Sequence, residues 1–192
     1  MRKVTQEELD QILADHALCL EDDSAGAHAN LSHTNLFGAD LADANLTGAN
    51  LTYTNLIDAN LIGVDLSGAN LSGANLINAH FFHADLFGAN LINANLSGAN
   101  LTDAFLAGAN LSGADLSDAN LSNSNLVDAN LTGVDLSGAN LINANLTGAK
   151  FDVNIIDAKT IKYATSSQDA LIWLIPRDNW AKEKDTVKIV DN

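Results

Sequence analysis

Positive charge is almost missing from the body of this chain: between Val4 and Ala158 only Lys150 carries it. Phosphate contacts need clustered Lys and Arg, so direct binding of nucleic acid or of an anionic membrane surface is not expected. Cysteine is reduced to Cys19, which rules out a disulfide within the chain. Cys19 falls in a predicted helix, where it reads as a small hydrophobe rather than a reactive thiol. Long apolar runs are missing too. The longest, Ala170 to Ile175, is far too short to span a bilayer, and the start Met1-Arg2-Lys3-Val4-Thr5-Gln6-Glu7-Glu8 has no apolar core of a signal peptide. The expectation is therefore a cytoplasmic protein without a membrane partner. Aromatic residues make up 5% and proline occurs once, while Leu, Ala, Asn, Asp, Gly and Ser dominate, a bias that points to a repeat.

The 192 residues fit one domain, and with 47% hydrophobic residues a core can be buried without disulfides or metals. The net charge of -15 is uneven. Residues 1–28 hold two basic and seven acidic side chains, 29–153 one and eleven, and 154–192 six of each.

From position 31 to 151 every fifth residue is Leu, except Phe81 and Phe151. A helical period of 3.6 would spread these side chains around all faces, and a strand period of 2 would send alternate ones to opposite sides. Only a chain that turns once per repeat can bury them together. The residue two before each Leu is small, as in Ala39, Ala44 and Ala49, with Thr34, Thr54, Val64, Ser124 and Val134 as substitutes. Twelve of the 13 glycines sit two after a Leu, and Asn or Asp fills most of the remaining such sites. A type II turn needs positive φ at its third residue, which Gly meets without strain and Asn or Asp tolerate. Four such turns close a square, so residues 20 apart should stack at about 4.8 Å, giving about six coils and a rod of roughly 30 Å. Asn before the Leu, as at Asn90, Asn95 and Asn100, is expected to form hydrogen-bonded ladders that brace the coils.

Units such as Ala69-Asn70-Leu71-Ser72-Gly73 and Ala114-Asp115-Leu116-Ser117-Asp118 resemble the pentapeptide-repeat family, whose pattern is A(D/N)LXX. The resemblance covers residues 29–153, about two-thirds of the chain. It implies an all-β solenoid, the right-handed quadrilateral β-helix, and points to the cyanobacterial type of the family. It also implies one sharp mechanism, since some members protect topoisomerases as acidic rods resembling duplex DNA. Duplex DNA would carry about 18 charges over such a rod, against about ten net here, and these are scattered over several faces. DNA mimicry toward a topoisomerase is therefore the alternative reading.

Open rungs at either end of a coil stack need covers. Thr5 with Glu8 forms a capping-box pattern, and Leu9, Ile12, Leu13, His16, Ala17 and Leu20 share one face, predicting a helix over about 5–20 that lies across the first coil. Beyond Phe151 the repeat decays. Ser167 starts a short predicted helix through Asp169 to Ile175, stopped by Pro176, and Leu171, Trp173 and Trp180 are the expected cover of the last coil. The division is thus an N-terminal capping helix and linker at 1–28, the repeat at 29–153 and a mixed C-terminal cap at 154–192.

No nucleophile elbow, phosphate loop or paired acidic site stands apart from the repeat, and a leucine-filled rod offers no cleft, so an enzyme is not expected. His80, His83, Asp85 and Asp103 come nearest to a metal cluster, but their spacing reads as surface substitution, and neither metal nor cofactor is expected. Residues just after each Leu should face solvent, and most are Ser or Thr. Phe37, Ile57 and Ile77 nevertheless share one column, Ile62 and Phe82 the next, and Phe87 and Ile92 continue around the rod. Adjacent exposed apolar columns mark an interface. Phe37, Ile57, Ile62, Ile77, Phe82 and Phe87 form the candidate protein-interaction surface, serving a protein partner or a homodimer; the C-terminal cap is the other candidate dimer contact. A terminal segment folding over the columns is the competing expectation.

Overall fold

Every five-residue unit brings five backbone N–H donors, and buried donors need partners. Around Leu71, Asn70 N–H donates to Ala49 O of the preceding coil at 2.9 Å. Leu71 N–H donates to Asn90 O at 2.7 Å and Gly73 N–H to Ile92 O at 2.9 Å, both in the following coil. Ala74 N–H closes the turn on Leu71 O at 3.0 Å. The fifth donor, Ser72 N–H, finds no carbonyl and instead meets Asn70 Oδ1 at 3.1 Å.

Repetition of this pattern builds the molecule, of which the computed structural model describes residues 1–22 and 24–151. Parallel bridges link residues 20 apart, from Asn30↔Asn50 to Asn125↔Asn145. A turn follows each central residue, and its third residue has positive φ from His33 at 55° to Gly148 at 70°. Half of these sites are not glycine. Asn and Asp hold most of them, but Tyr53 sits there at φ 54°, a conformation costing a side chain about 1–2 kcal/mol. Its ring stacks on His33 at 5.2 Å between centroids and lies over Gly73, where an added Cβ would collide with it.

The core is continuous. Leu31 to Leu146 point inward together with Phe81 and the small residues two positions earlier, nearly all of them buried. Each buried Leu contributes roughly 1.5–3 kcal/mol. Where the small residue carries a hydroxyl, a leucine carbonyl accepts it: Thr54 Oγ1 donates to Leu31 O of the preceding coil and Ser124 Oγ to Leu121 O of its own turn, each at 2.7 Å.

At the front, β1 (Arg2–Lys3) pairs in parallel with β2 (Thr34–Asn35) on the first coil. Helix α1 (Gln6–Glu21) follows, its start fixed by the expected reciprocal bonds between Thr5 and Glu8. Leu9 is buried in the coil core, with Val4, Ile12 and Leu13 packed beside it. The expected helical face is wrong at its end. Ala17 and Leu20 are exposed and Cys19 is buried, because the returning linker lies there: a Cβ on Gly26 would collide with Asp15 O and Cys19 N. At the far end β3 (Asn130–Leu131) pairs with β4 (Lys150–Phe151). The expected helix at Asp169 to Ile175 and the cover by Leu171, Trp173 and Trp180 lie outside the described residues. Among the described residues no helix is long and apolar enough to cross a membrane.

His16 is the weak point of this front end. It is fully buried, its Nδ1 accepts the Ala29 N–H at 3.2 Å, and its Nε2 has no hydrogen-bond partner among the described residues. Burial first, and then the neighbouring His28, hold its pKa below the ordinary value, while the Thr47 backbone acts the other way. A depressed histidine pKa means that the unfolded chain takes up the proton first. The contribution is fully present above about pH 6.5 and is lost as pH falls from there through the folded value. Urea denaturation between about pH 7.5 and about pH 5 should show falling stability, and His16→Gln, which keeps an acceptor without titrating, should flatten that slope. An equal slope in both proteins would remove His16 as the cause.

Candidate protein-interaction surface

The residue after each central Leu points outward, and its carbonyl ties it to the coil before. Gly38 N–H donates to Ile57 O and Asp58 N–H to Ile77 O, so Phe37, Ile57 and Ile77 stand in one column. Gly63 N–H donates to Phe82 O, placing Ile62 beside Phe82 in the next column. Phe87 occupies the third side, above Ala107 and Val127. Phe37 is 61% exposed, Phe87 54% and Ile62 41%, whereas Ile57, Ile77 and Phe82 are half-buried between their neighbours.

Phe105 belongs with them and was not among the expected residues. It precedes a central Leu, where Asn or Asp is the rule, and is 39% exposed. Its ring stacks on Phe87 at 6.0 Å between centroids, directly along the ladder from Asp85, its bridge partner. A signal for it existed in the sequence: Phe105 is the one hydrophobe among the residues that precede a central position from 31 to 151.

The position before each Leu has a specific duty. From Asn30, whose Oδ1 accepts Ser32 N–H at 3.2 Å, to Asn145, whose Oδ1 accepts Thr147 N–H at 3.1 Å, these side chains supply the missing acceptor for the fifth donor. Asp serves equally, as Asp85 does for Phe87 N–H at 2.9 Å. The expected ladders between stacked copies are the lesser role. They occur at pairs such as Asn55 to Asn35 and Asn140 to Asn120, while the bond to the backbone recurs along the rod. Two places lack it. His80 leaves Phe82 N–H, and Phe105 leaves Ala107 N–H, without an acceptor among the described residues. Both gaps fall inside the apolar patch.

His83 ends the same short segment at a turn, its ring 3.9 Å from that of Phe82 between centroids. Among the described residues no group of three or more His, Cys, Asp or Glu side chains could hold a metal ion. The carboxylates around the patch, Asp58, Asp85 and Asp103, have no cationic partner among the described residues, where the sole ion pair is Arg2 with Glu8 at 3.9 Å.

A parallel coil of 20 residues with one turn per five, leucines within and short polar or apolar side chains without, defines the class: a four-sided β-solenoid. A model of pentapeptide repeats matches in eight copies, over residues 29–68, 54–91, 79–118 and 114–152. The chain belongs to the pentapeptide-repeat family. A pentapeptide-repeat protein, Rfr23, from the cyanobacterium Cyanothece 51142 is 30% identical, with 75% of this chain and 98% of that one covered and a TM-score of 0.45. HetL from the cyanobacterium Nostoc sp. strain PCC 7120, involved in heterocyst differentiation regulation, is 37% identical over 69% of this chain and 72% of its own, at a TM-score of 0.33. QnrB1, a plasmid-mediated fluoroquinolone resistance protein, is 21% identical over 76% of this chain and 85% of its own, at 0.42. No curated protein matches the chain.

Replacing Phe105 with Asn should return the acceptor to Ala107 N–H and raise stability by about 0.5–1.5 kcal/mol. Asn95→Ala, which strips the acceptor from Ser97 N–H, should lower it by a similar amount. Urea unfolding midpoints of the two variants moving in the same direction would refute this assignment.

Proposed function

We propose that the chain is a non-enzymatic docking rod that presents a fixed apolar surface to another protein. The observation that carries this reading is the coincidence of the two missing backbone acceptors, at His80 and Phe105, with outward-facing aromatic residues, the half-buried Phe82 and the exposed Phe87. A repeat that forgoes a hydrogen bond twice, where its surface turns aromatic, departs from the rule that sustains the fold, and such departures cluster at functional sites. The contact surface comprises Phe37, Ile57, Ile62, Ile77, Phe82 and Phe87, extended by Phe105. In this reading residues 1–28 close the front of a stack of about six coils spaced at about 4.8 Å, residues 29–153 form the stack, and 154–192 close its rear. Catalysis has no part in it.

The test is a triple replacement, Phe37→Ser, Ile57→Ser and Phe82→Ser. All three positions face outward, and Ser is already common there, so the unfolding transition should keep its cooperativity. Proteins retained from native lysate by the unmodified rod should be absent from the eluate of the variant. Identical retained proteins on both would end the proposal. Sedimentation of each at several concentrations separates this partner from a second copy of the chain.

A further inference from the structure

The patch tells more about its occupant than that it is apolar. Between Val4 and Ala149 the chain contains neither Lys nor Arg. Asp58 adjoins Ile57, and its N–H donates to Ile77 O, which sets its carboxylate at the corner between the two apolar columns. Asp85 is the bridge partner of Phe105, and Asp103 precedes Phe105 by two residues at a turn with φ 57°. Phe87, Phe105, Asp85 and Asp103 therefore occupy one edge of the rod, two stacked aromatic rings beside two carboxylate-bearing residues.

Resting on the docking reading above, the geometry points to a cationic partner: a protein segment in which Arg or Lys alternates with aliphatic side chains. Three features converge on it. The patch offers negative charge without a cation of its own, so an acidic partner, or a second acidic rod laid against it, would be repelled. The exposed rings of Phe87 and Phe105 give aliphatic side chains apolar area and guanidinium groups a face to rest on. Asp85 uses Oδ1 to hold Phe87 N–H, which leaves its second oxygen for a charge-assisted bond from outside.

The fold itself supplies a clean test, because Asn replaces Asp at equivalent sites along the rod without change of backbone. Asp58→Asn, Asp85→Asn and Asp103→Asn together keep the acceptor at 85 and residues tolerant of positive φ at 58 and 103. Asp115→Asn, Asp118→Asn and Asp135→Asn remove the same charge from a Ser-rich stretch outside the patch. Phe87→Ser with Phe105→Asn removes the rings. The probe is a fluorescein-labelled peptide alternating arginine and leucine, with an analogue carrying glutamine for arginine, followed by fluorescence anisotropy with the full chain.

The patch Asn variant should bind the arginine peptide about tenfold or more weakly, with a shallower salt dependence. The control Asn variant should bind as the unmodified protein does, and the ring variant should bind neither peptide. Equal weakening by the two Asn sets would show nonspecific attraction to an acidic rod and overturn the assignment, as would equal affinity for the arginine and glutamine peptides. In the second case, loss of both peptides by the ring variant would leave the docking reading standing with an uncharged partner. Binding unaffected by loss of the rings would remove the docking reading as well, and self-association relieved by the ring variant would replace the cationic partner with a second copy.

Discussion

The rod depends on one unfilled amide per repeat. Four of the five N–H groups in each interior unit find backbone carbonyls in the turn or in adjacent coils, and the geometry that does this leaves the residue after the Leu facing none. Only a side-chain oxygen two residues earlier can reach it, and Asn or Asp is the right length. Lys and Arg carry donors alone and cannot fill this position. The composition follows from that requirement. Asparagine is abundant because it answers the amide without adding charge, and aspartate accumulates because it answers equally well. The acidity of the repeat is thus in part a consequence of its hydrogen bonding.

Much of this architecture was legible from spacing alone. A period of five with a small residue two before each Leu demanded a turn per repeat, and Gly, Asn or Asp two after it showed where φ would be positive; His33, Tyr53 and His83, at φ 55°, 54° and 57°, strain that inference. The role of Asn was not legible, because sequence shows which amide is present but not where its oxygen points. Once Oδ1 is committed to the backbone, Nδ2 is left to reach a neighbour only where the spacing allows, as from Asn55 to Asn35. Helical periodicity likewise located α1 but could not see the linker folding back, so Leu20 was expected to be covered and Cys19 is instead. Phe105 escaped notice for a related reason. Apolar side chains are frequent after the Leu and stand out there, whereas the restriction on the position before it becomes visible only once the Oδ1 bond is seen.

That contrast decides how the surface should be weighed. An apolar residue after the Leu disturbs nothing in the coil, since its own N–H is held by the residue two before and its side chain lies outside the core. Phe37 could therefore have drifted into place without consequence for the fold. A residue before the Leu is different, because Phe or His there forfeits a bond worth about 0.5–1.5 kcal/mol. In a solenoid each coil contacts only its neighbours, so such a loss stays local and no distant rearrangement offsets it. His80 and Phe105 are consequently the more informative pair, although Phe37 is the more exposed. That both lie within one coil of Phe87 ties the loss to a particular stretch of surface rather than to the end of the stack, where fraying would tolerate it. Stability has been given up where aromatic area was gained, and a contact made by that area is the compensation the local structure does not itself contain.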